Sequence, residues 1–203
     1  MSQKPWKPGK LIALYGINNL GKSTQVALLV ERAMRELGLR VRPRKYPLYD
    51  LEPTGPLINE YLRKKNPRGL TPRDFQIIQT LNRLESDARL RQGLGFGDII
   101  VAEDYWGTGV AWGVGAGVDQ DFLIGLNASL AKEDLAILMD GERFLKAREK
   151  NHAHEENDEL TERVRRAHIE LAEMFGWHIV NTNQPIEEVH KEIWLLVKPL
   201  LED

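Results

Sequence analysis

Apolar residues follow two rhythms along this chain. Short unbroken runs at 10–15 (Leu11-Ile12-Ala13-Leu14-Tyr15), 98–103, 135–139 and 178–181 predict strands with both faces covered. A fifth strand is expected at 39–46. It is basic (Arg40, Arg42, Arg44, Lys45) and ends at Pro47. Between the runs, apolar residues recur at helical spacing. Val26, Leu29, Val30, Ala33 and Leu37 mark a helix over 25–37, with Gly38 as its C-cap. Leu57, Ile58, Tyr61 and Leu62 suit a short helix. A long helix is expected over 71–92, with Thr71 as N-cap, Pro72 at the first position, Asp74 in the first turn, and a stripe of Phe75, Ile78, Leu81, Leu84 and Ala88. Leu160, Val164, Ala167, Leu171 and Met174 carry a helix over 159–175, capped by Gly176. Ile186, Val189, Ile193, Leu196 and Val197 carry the last one, opened by Pro185. Weaker patterns suggest helix at 122–130 and from 142 to about 148; the glycine-spaced stretch 106–117 allows close backbone approach or local motion. Strands alternating with helices predict an α/β fold whose five-stranded parallel sheet is covered on both faces. Ligands of such sheets sit at the carboxyl edge of the strands.

Composition narrows the setting. The chain has 203 residues, enough for one domain over 1–203, and shows no internal repeat. Twenty-eight basic against 30 acidic side chains argue against a general nucleic-acid or membrane-surface binder. The absence of cysteine removes disulfides, thiolate metal sites and a cysteine nucleophile. The first ten residues lack the apolar core of a signal peptide and no run approaches a membrane span, so a cytoplasmic protein is the expectation.

The chemistry enters at Gly16-Ile17-Asn18-Asn19-Leu20-Gly21-Lys22-Ser23-Thr24, which reads G-x-x-x-x-G-K-S-T between the first strand and the first helix. A glycine loop there turns backbone N–H groups onto a polyphosphate, helped by the positive end of the helix dipole. Lys22 can reach the β- and γ-phosphates, and the Ser23 hydroxyl can hold Mg²⁺. ATP with Mg²⁺ is therefore the expected donor, with Gly16, Asn18, Asn19, Gly21, Lys22, Ser23 and Thr24 around it. The turn after Tyr46, the acids Glu103 and Asp104, and the loop after Asn181 are expected on the same edge.

Further blocks stand in register with that loop: Lys45-Tyr46-Pro47, Leu81-Asn82-Arg83-Leu84-Glu85, the stretch from Glu103-Asp104-Tyr105-Trp106-Gly107-Thr108 to Trp112, and Pro185-Ile186-Glu187-Glu188-Val189. With them the chain resembles the thymidylate kinase family of P-loop nucleoside monophosphate kinases over nearly its whole length. The resemblance implies the three-layer P-loop NTPase sandwich, a lid at about 143–158, and transfer of the ATP γ-phosphoryl to dTMP or a related deoxynucleotide. It also implies roles. Lys22, Glu103 and Arg148 would be catalytic. Ser23 and Glu103 would serve the metal, and Arg143 and Arg148 would clamp phosphates. Asn183 and Gln184 would lie beside adenine. Asn18, Tyr46, Gln79, Arg83, Asp104, Tyr105 and Trp112 would surround the acceptor. The family is often dimeric through its long helices, which leaves a homodimer open.

The departures from the family pattern gather in the acceptor half. Asn18 stands where an acid is usual, and Asp104 where the phosphate-binding arginine is usual. Leu48, Tyr49 and Asp50 stand where a second arginine is expected, and Gln79 where an aromatic ring stacks on thymine. Lys45, Arg44 and His152 are the candidate replacement cations. Three alternatives therefore stay open: a different acceptor such as another nucleotide or a nucleoside, an ATP-binding relative acting as partner or regulator without catalysis, and a P-loop ATPase or GTPase of another kind. The last lacks a guanine-reading Asn-Lys-x-Asp block.

Overall fold

A computed structural model describes residues 7–143 and 157–202. Five parallel strands form one sheet in the order β2-β3-β1-β4-β5, with β1 Leu11–Tyr15, β2 Val41–Lys45, β3 Ile99–Glu103, β4 Leu135–Asp140 and β5 His178–Asn181. The order explains the compositions. β1 is central and wholly buried, so both of its faces must be apolar. Leu11, Ala13 and Tyr15 feed one core; Ile12 and Leu14 feed the other. β2 is an edge strand, which is where Pro43 and exposed arginines are tolerated. Arg40 and Arg42 both pair with Asp98 at the foot of β3.

Helices α1 Lys22–Leu37 and α7 Ile186–Glu202 cover the Ile12 face, through Val26, Leu29, Ile193 and Val197. Across the sheet lie α3 Pro72–Gly95, α4 Trp106–Gly115, α5 Gln120–Asn127 and α6 Asp158–Phe175. Leu90, Val110, Leu123 and Leu171 fill that side. The short α2 Thr54–Arg63 packs against the start of α3, with Ile58, Leu62 and Phe75 forming a small cluster of their own.

Helix α3 starts as its sequence predicts. Thr71 Oγ1 accepts from the Asp74 N–H at 3.2 Å, and Asp74 Oδ2 accepts from the Thr71 N–H at 3.1 Å, a reciprocal cap. Its orientation is less expected. Leu81, Leu84 and Ala88 of the apolar stripe are exposed, whereas Gln76, Gln79, Thr80, Asn82, Arg83, Ser86 and Asp87 are buried. The helix runs from the loops at the carboxyl edge of the sheet to its amino edge, where the Gly9 N–H donates to the Leu94 carbonyl, and its buried polar groups serve the loops it passes. Asn82 bridges the Leu48 N–H (2.8 Å) and carbonyl (2.9 Å), fixing the loop after β2. Asp87 accepts from the Ala131 N–H at 3.0 Å.

The glycine-spaced stretch, to which the pattern assigns no element, is the helix α4. Its glycines serve close approach. A Cβ on Gly107 would lie 2.4 Å from the Trp177 ring, and one on Gly115 would lie 2.5 Å from Val164 Cγ2. The long helix runs three residues beyond its expected end, and the helix expected over 122–130 begins and ends earlier. Glu142 and Arg143 are not helical; the rest of the helix expected there, and most of the lid, lie outside the described residues.

Candidate active site

The loop after β1 has the backbone its glycines permit. Gly16 has φ 136° and no room for a side chain, since a Cβ would meet the Met139 carbonyl oxygen at 2.4 Å. Gly21 sits at φ 82° as the N-cap of α1 and offers no side-chain cap, so the first turn keeps its N–H groups for an anion. Asn19 also adopts a left-handed conformation, φ 66°. Lys22 folds back over this loop. Its ammonium donates to the carbonyls of Gly16 (2.9 Å) and Ile17 (2.6 Å) and lies 3.4 Å from Asp104 Oδ1.

Beside it stands a second ionic group. Ser23 Oγ donates to Glu103 Oε1 at 2.7 Å, and Lys45 Nζ reaches the same oxygen at 2.7 Å and Ser23 Oγ at 3.1 Å. Burial works against the Lys45 charge. The hydrogen bond and charge of Glu103 outweigh it and raise the lysine pKa. Asp104 sits at φ 58°, so both carboxylates of the Glu103-Asp104 pair face one space although they are consecutive. Burial raises the Asp104 carboxyl above the usual range, and Lys22 pulls the other way.

That space is a cavity of about 560 Å³. At one end it is lined by Thr182, Gln184, Ile186 and Gln25, whose Oε1 is buried without a partner among the described residues. In the middle lie the P-loop residues 18–24 with Lys45, Glu103 and Asp104. At the other end are Tyr46, Tyr49, Leu62, Arg63, Gln79, Arg83, Thr108 and Trp112. Arg83 is 2% exposed. Its Nη2 donates to Gln79 Oε1 at 3.1 Å, while Nε and Nη1 have no partner among the described residues. Burial lowers its pKa. A Cβ on Gly109 would fall 2.7 Å from the guanidinium, so the glycine makes the room that Arg83 occupies. The Tyr46 hydroxyl is likewise buried and unpartnered.

Of the site residues expected from sequence, Asn18, Asn19, Gly21, Lys22, Ser23, Thr24, Tyr46, Gln79, Arg83, Glu103, Asp104, Trp112 and Gln184 line this one cavity. Four lie off it. Gly16 is buried beneath the loop against Met139. Tyr105 stands behind Tyr46, ring centres 5.1 Å apart, with its hydroxyl donating to the Ala131 carbonyl at 3.1 Å; it is core rather than wall. Asn183 accepts from the Glu142 N–H at 2.6 Å, and Arg143 lies 3.2 Å from Asp158. Arg148 and His152 lie outside the described residues. Arg63 and Tyr49 were not anticipated. The guanidinium of Arg63 lies over the Tyr49 ring at 4.7 Å. In sequence, Leu62-Arg63-Lys64-Lys65 reads as a solvated helix end, and only the fold of the loop before α2 brings Tyr49 to it.

His168, on α6, is fully buried near the P-loop. Its Nδ1 lies 3.0 Å from the Val164 carbonyl, an acceptor, so that nitrogen carries the proton. Burial, then the Lys22 charge, drive its pKa from 6.5 down to about 3. The unfolded chain therefore binds more protons than the folded one between pH 6.5 and 3. The contribution of a neutral His168 is complete above pH 6.5 and is lost by about 1.4 kcal/mol per pH unit as the pH falls through that window. Urea midpoints at pH 7 and pH 5 should differ more in the native protein than in His168→Gln; equal differences would place the pH dependence elsewhere.

The thymidylate kinase family model matches residues 14–193. The chain belongs to the thymidylate kinase family. It is 30% identical to the thymidylate kinase of Homo sapiens over 193 residues, spanning 93% of this chain and 89% of that protein. It is 29% identical to the thymidylate kinase of Dictyostelium discoideum over 189 residues, spanning 92% and 84%. The solved thymidylate kinase of Candida albicans superposes with a TM-score of 0.81 over 95% of this chain and 92% of that one, at 22% identity, which establishes the shared fold. Members of this thymidylate kinase family are ATP-dependent phosphotransferases, and the P-loop NTPase architecture expected from sequence is the one observed. Among the described residues no helix is long and apolar enough to cross a membrane.

Proposed function

We propose that this protein transfers the γ-phosphoryl group of ATP to the 5′-phosphate of dTMP within a single domain. One observation carries the reading. A continuous cavity joins the P-loop to a pocket holding buried, unsatisfied polar groups, Arg83 Nε and Nη1 and the Tyr46 hydroxyl. Buried donors without partners are costly unless a ligand completes them. In this reading the P-loop amides and Lys22 hold the β- and γ-phosphates, and Thr182, Gln184 and Ile186 border the adenine. Tyr46, Gln79, Arg83 and Trp112 enclose the acceptor nucleoside, and Arg143 and Arg148 approach from the lid.

Ser23 Oγ and the Glu103 carboxylate are oxygen donors in contact with one another, a donor set suited to a hard divalent cation. They would hold Mg²⁺, which when bound screens phosphate charge. The acceptor phosphate is an anion at neutral pH and needs no base. Its oxygen bonds to Pγ as the bond from Pγ to the β,γ-bridging oxygen breaks, and ADP leaves. The protein's part is to align the two anions and screen their repulsion. ADP release measured with dTMP, dUMP, dCMP, dGMP, UMP and thymidine tests the assignment. Turnover with dTMP and not with thymidine is the expected result. Turnover with thymidine and not dTMP, or ATP binding with no turnover, would overturn it.

A cytoplasmic setting goes with this reading, as cell fractionation would check. So does a homodimer, supported by the outward stripe Leu81, Leu84 and Ala88 of α3. Sedimentation equilibrium should then return about twice the 23.2 kDa chain mass.

A further inference from the structure

A second cavity, of about 400 Å³, opens at the other end of the sheet, where β4 and β5 begin. It shares no lining residue with the nucleotide cavity. Trp106, Phe175 and Trp177 form its aromatic wall. The Trp106 ring meets Phe175 edge-on at 5.1 Å and Trp177 at 5.9 Å, and Trp177 stacks on Tyr15 at 4.2 Å, a packed aromatic cluster whose outer surface lines the cavity. Phe175 is 41% exposed, so its ring is reachable from solvent.

The electrostatics of this cavity point one way. The carboxylate of Glu133 lies on its lining and accepts from Tyr15 Oη (2.8 Å) and Trp106 Nε1 (2.8 Å to Oε2). A carboxylate offers about four lone-pair sites, so acceptor capacity remains after those bonds. Both donors fix its position without neutralising it. The C-terminal ends of two helices also reach the lining, α5 at Asn127 and Ala128 and α6 at Phe175 and Gly176, and each presents the negative end of its dipole. Asp134 adds a second carboxylate, paired with Lys10 at 3.5 Å; the basic side chains on the described lining are Lys132 and His178, both exposed.

We propose that this cavity binds a small organic cation, an alkylammonium group seated against the rings of Trp106, Phe175 and Trp177 and held by the charge of Glu133. Aromatic faces attract such a group through their quadrupole, and the carboxylate with the two helix ends supplies the field that selects charge. The fit is independent of the activity proposed for the P-loop side, because neither the walls nor Glu133 belong to that cavity.

The test uses the full-length protein and an isosteric pair, choline and its uncharged analogue 3,3-dimethyl-1-butanol. The chain has five tryptophans, so amide–proton correlation spectra resolve the site through their indole N–H signals. Choline should move the Trp106 and Trp177 signals saturably and leave Trp112 and Trp194 in place. The uncharged analogue should bind at least tenfold more weakly. Glu133→Gln, which keeps an acceptor for Tyr15, should weaken choline about tenfold, and Phe175→Ala, at a half-exposed position, should weaken it similarly. Equal binding of the two probes, unchanged choline affinity in both variants, or no saturable shift at Trp106 and Trp177 would overturn the proposal.

Discussion

Replacing Lys22 with alanine should lower the rate of ADP formation by roughly 10³-fold, the scale seen when a preorganised charge-stabilising group is removed from a transition state. The structure shows why one side chain carries so much. An ammonium has three donors, and here they meet Gly16 O, Ile17 O and Asp104. Those contacts hold Lys22, 5% exposed, at the mouth of the loop, from which it can exchange them for phosphate oxygens. Alanine supplies no charge there, while the loop keeps its glycine-dependent shape. The fold should survive, because the group left behind can adapt. Burial already raises the Asp104 carboxyl, Lys22 is the leading influence lowering it, and without Lys22 it takes up a proton more readily. Circular dichroism of the variant should match the native protein while turnover is lost. A rate within tenfold of native would remove the P-loop lysine from the mechanism.

The same pair shows how far sequence carries. Everything governed by local pattern was legible: five strands, the P-loop, the Thr71 cap, and the Gly38 and Gly176 ends of α1 and α6, both in left-handed geometry. These depend on spacing and on residues whose backbone preferences are intrinsic. What was not legible depends on partners distant in sequence. Asp104 reads as a charge of the wrong sign beside an acceptor phosphate, which at an effective dielectric of about 20 would cost several kcal/mol. In the fold it is the counter-ion of Lys22, 82 positions earlier, and Lys45 similarly neutralises Glu103. Tyr105 reads as pocket wall because its neighbours do, yet its hydroxyl finds the Ala131 carbonyl and the ring turns inward. The stripe of α3 reads as apolar, and the loops after β2 and before β4 took its polar side instead, through Asn82 and Asp87. Periodicity reports that a helix has two faces, and which one is covered is decided by what lies beneath.

Arg83→Met should make the protein more stable and a poorer enzyme at once. The guanidinium is buried with two of its nitrogens unpartnered among the described residues, and burial lowers its pKa, so the protein around it disfavours the charge. Methionine has comparable length and removes the charge and both unpartnered nitrogens, at the cost of the one bond to Gln79 Oε1; unfolding in urea should show a net gain of about 1–3 kcal/mol. The cost should appear in the acceptor reaction. If Nε and Nη1 each donate to the acceptor, two charge-assisted hydrogen bonds at roughly 1.5–3 kcal/mol apiece are lost, which corresponds to at least about 10²-fold in kcat/KM for dTMP. Binding of ATP alone should change little, because Arg83 lies at the end of the cavity away from Thr182 and Gln184. The two readouts separate a functional residue from a structural one. A core arginine satisfied in the folded state would lose stability when replaced and leave kcat/KM near native. Gly109 adds a second check on the same reasoning, since its missing Cβ is what accommodates the guanidinium at 2.7 Å. Gly109→Ala should lower kcat/KM in the native background and have a smaller effect once Arg83→Met has removed the planar group it would crowd, a coupling that a double-mutant cycle measures.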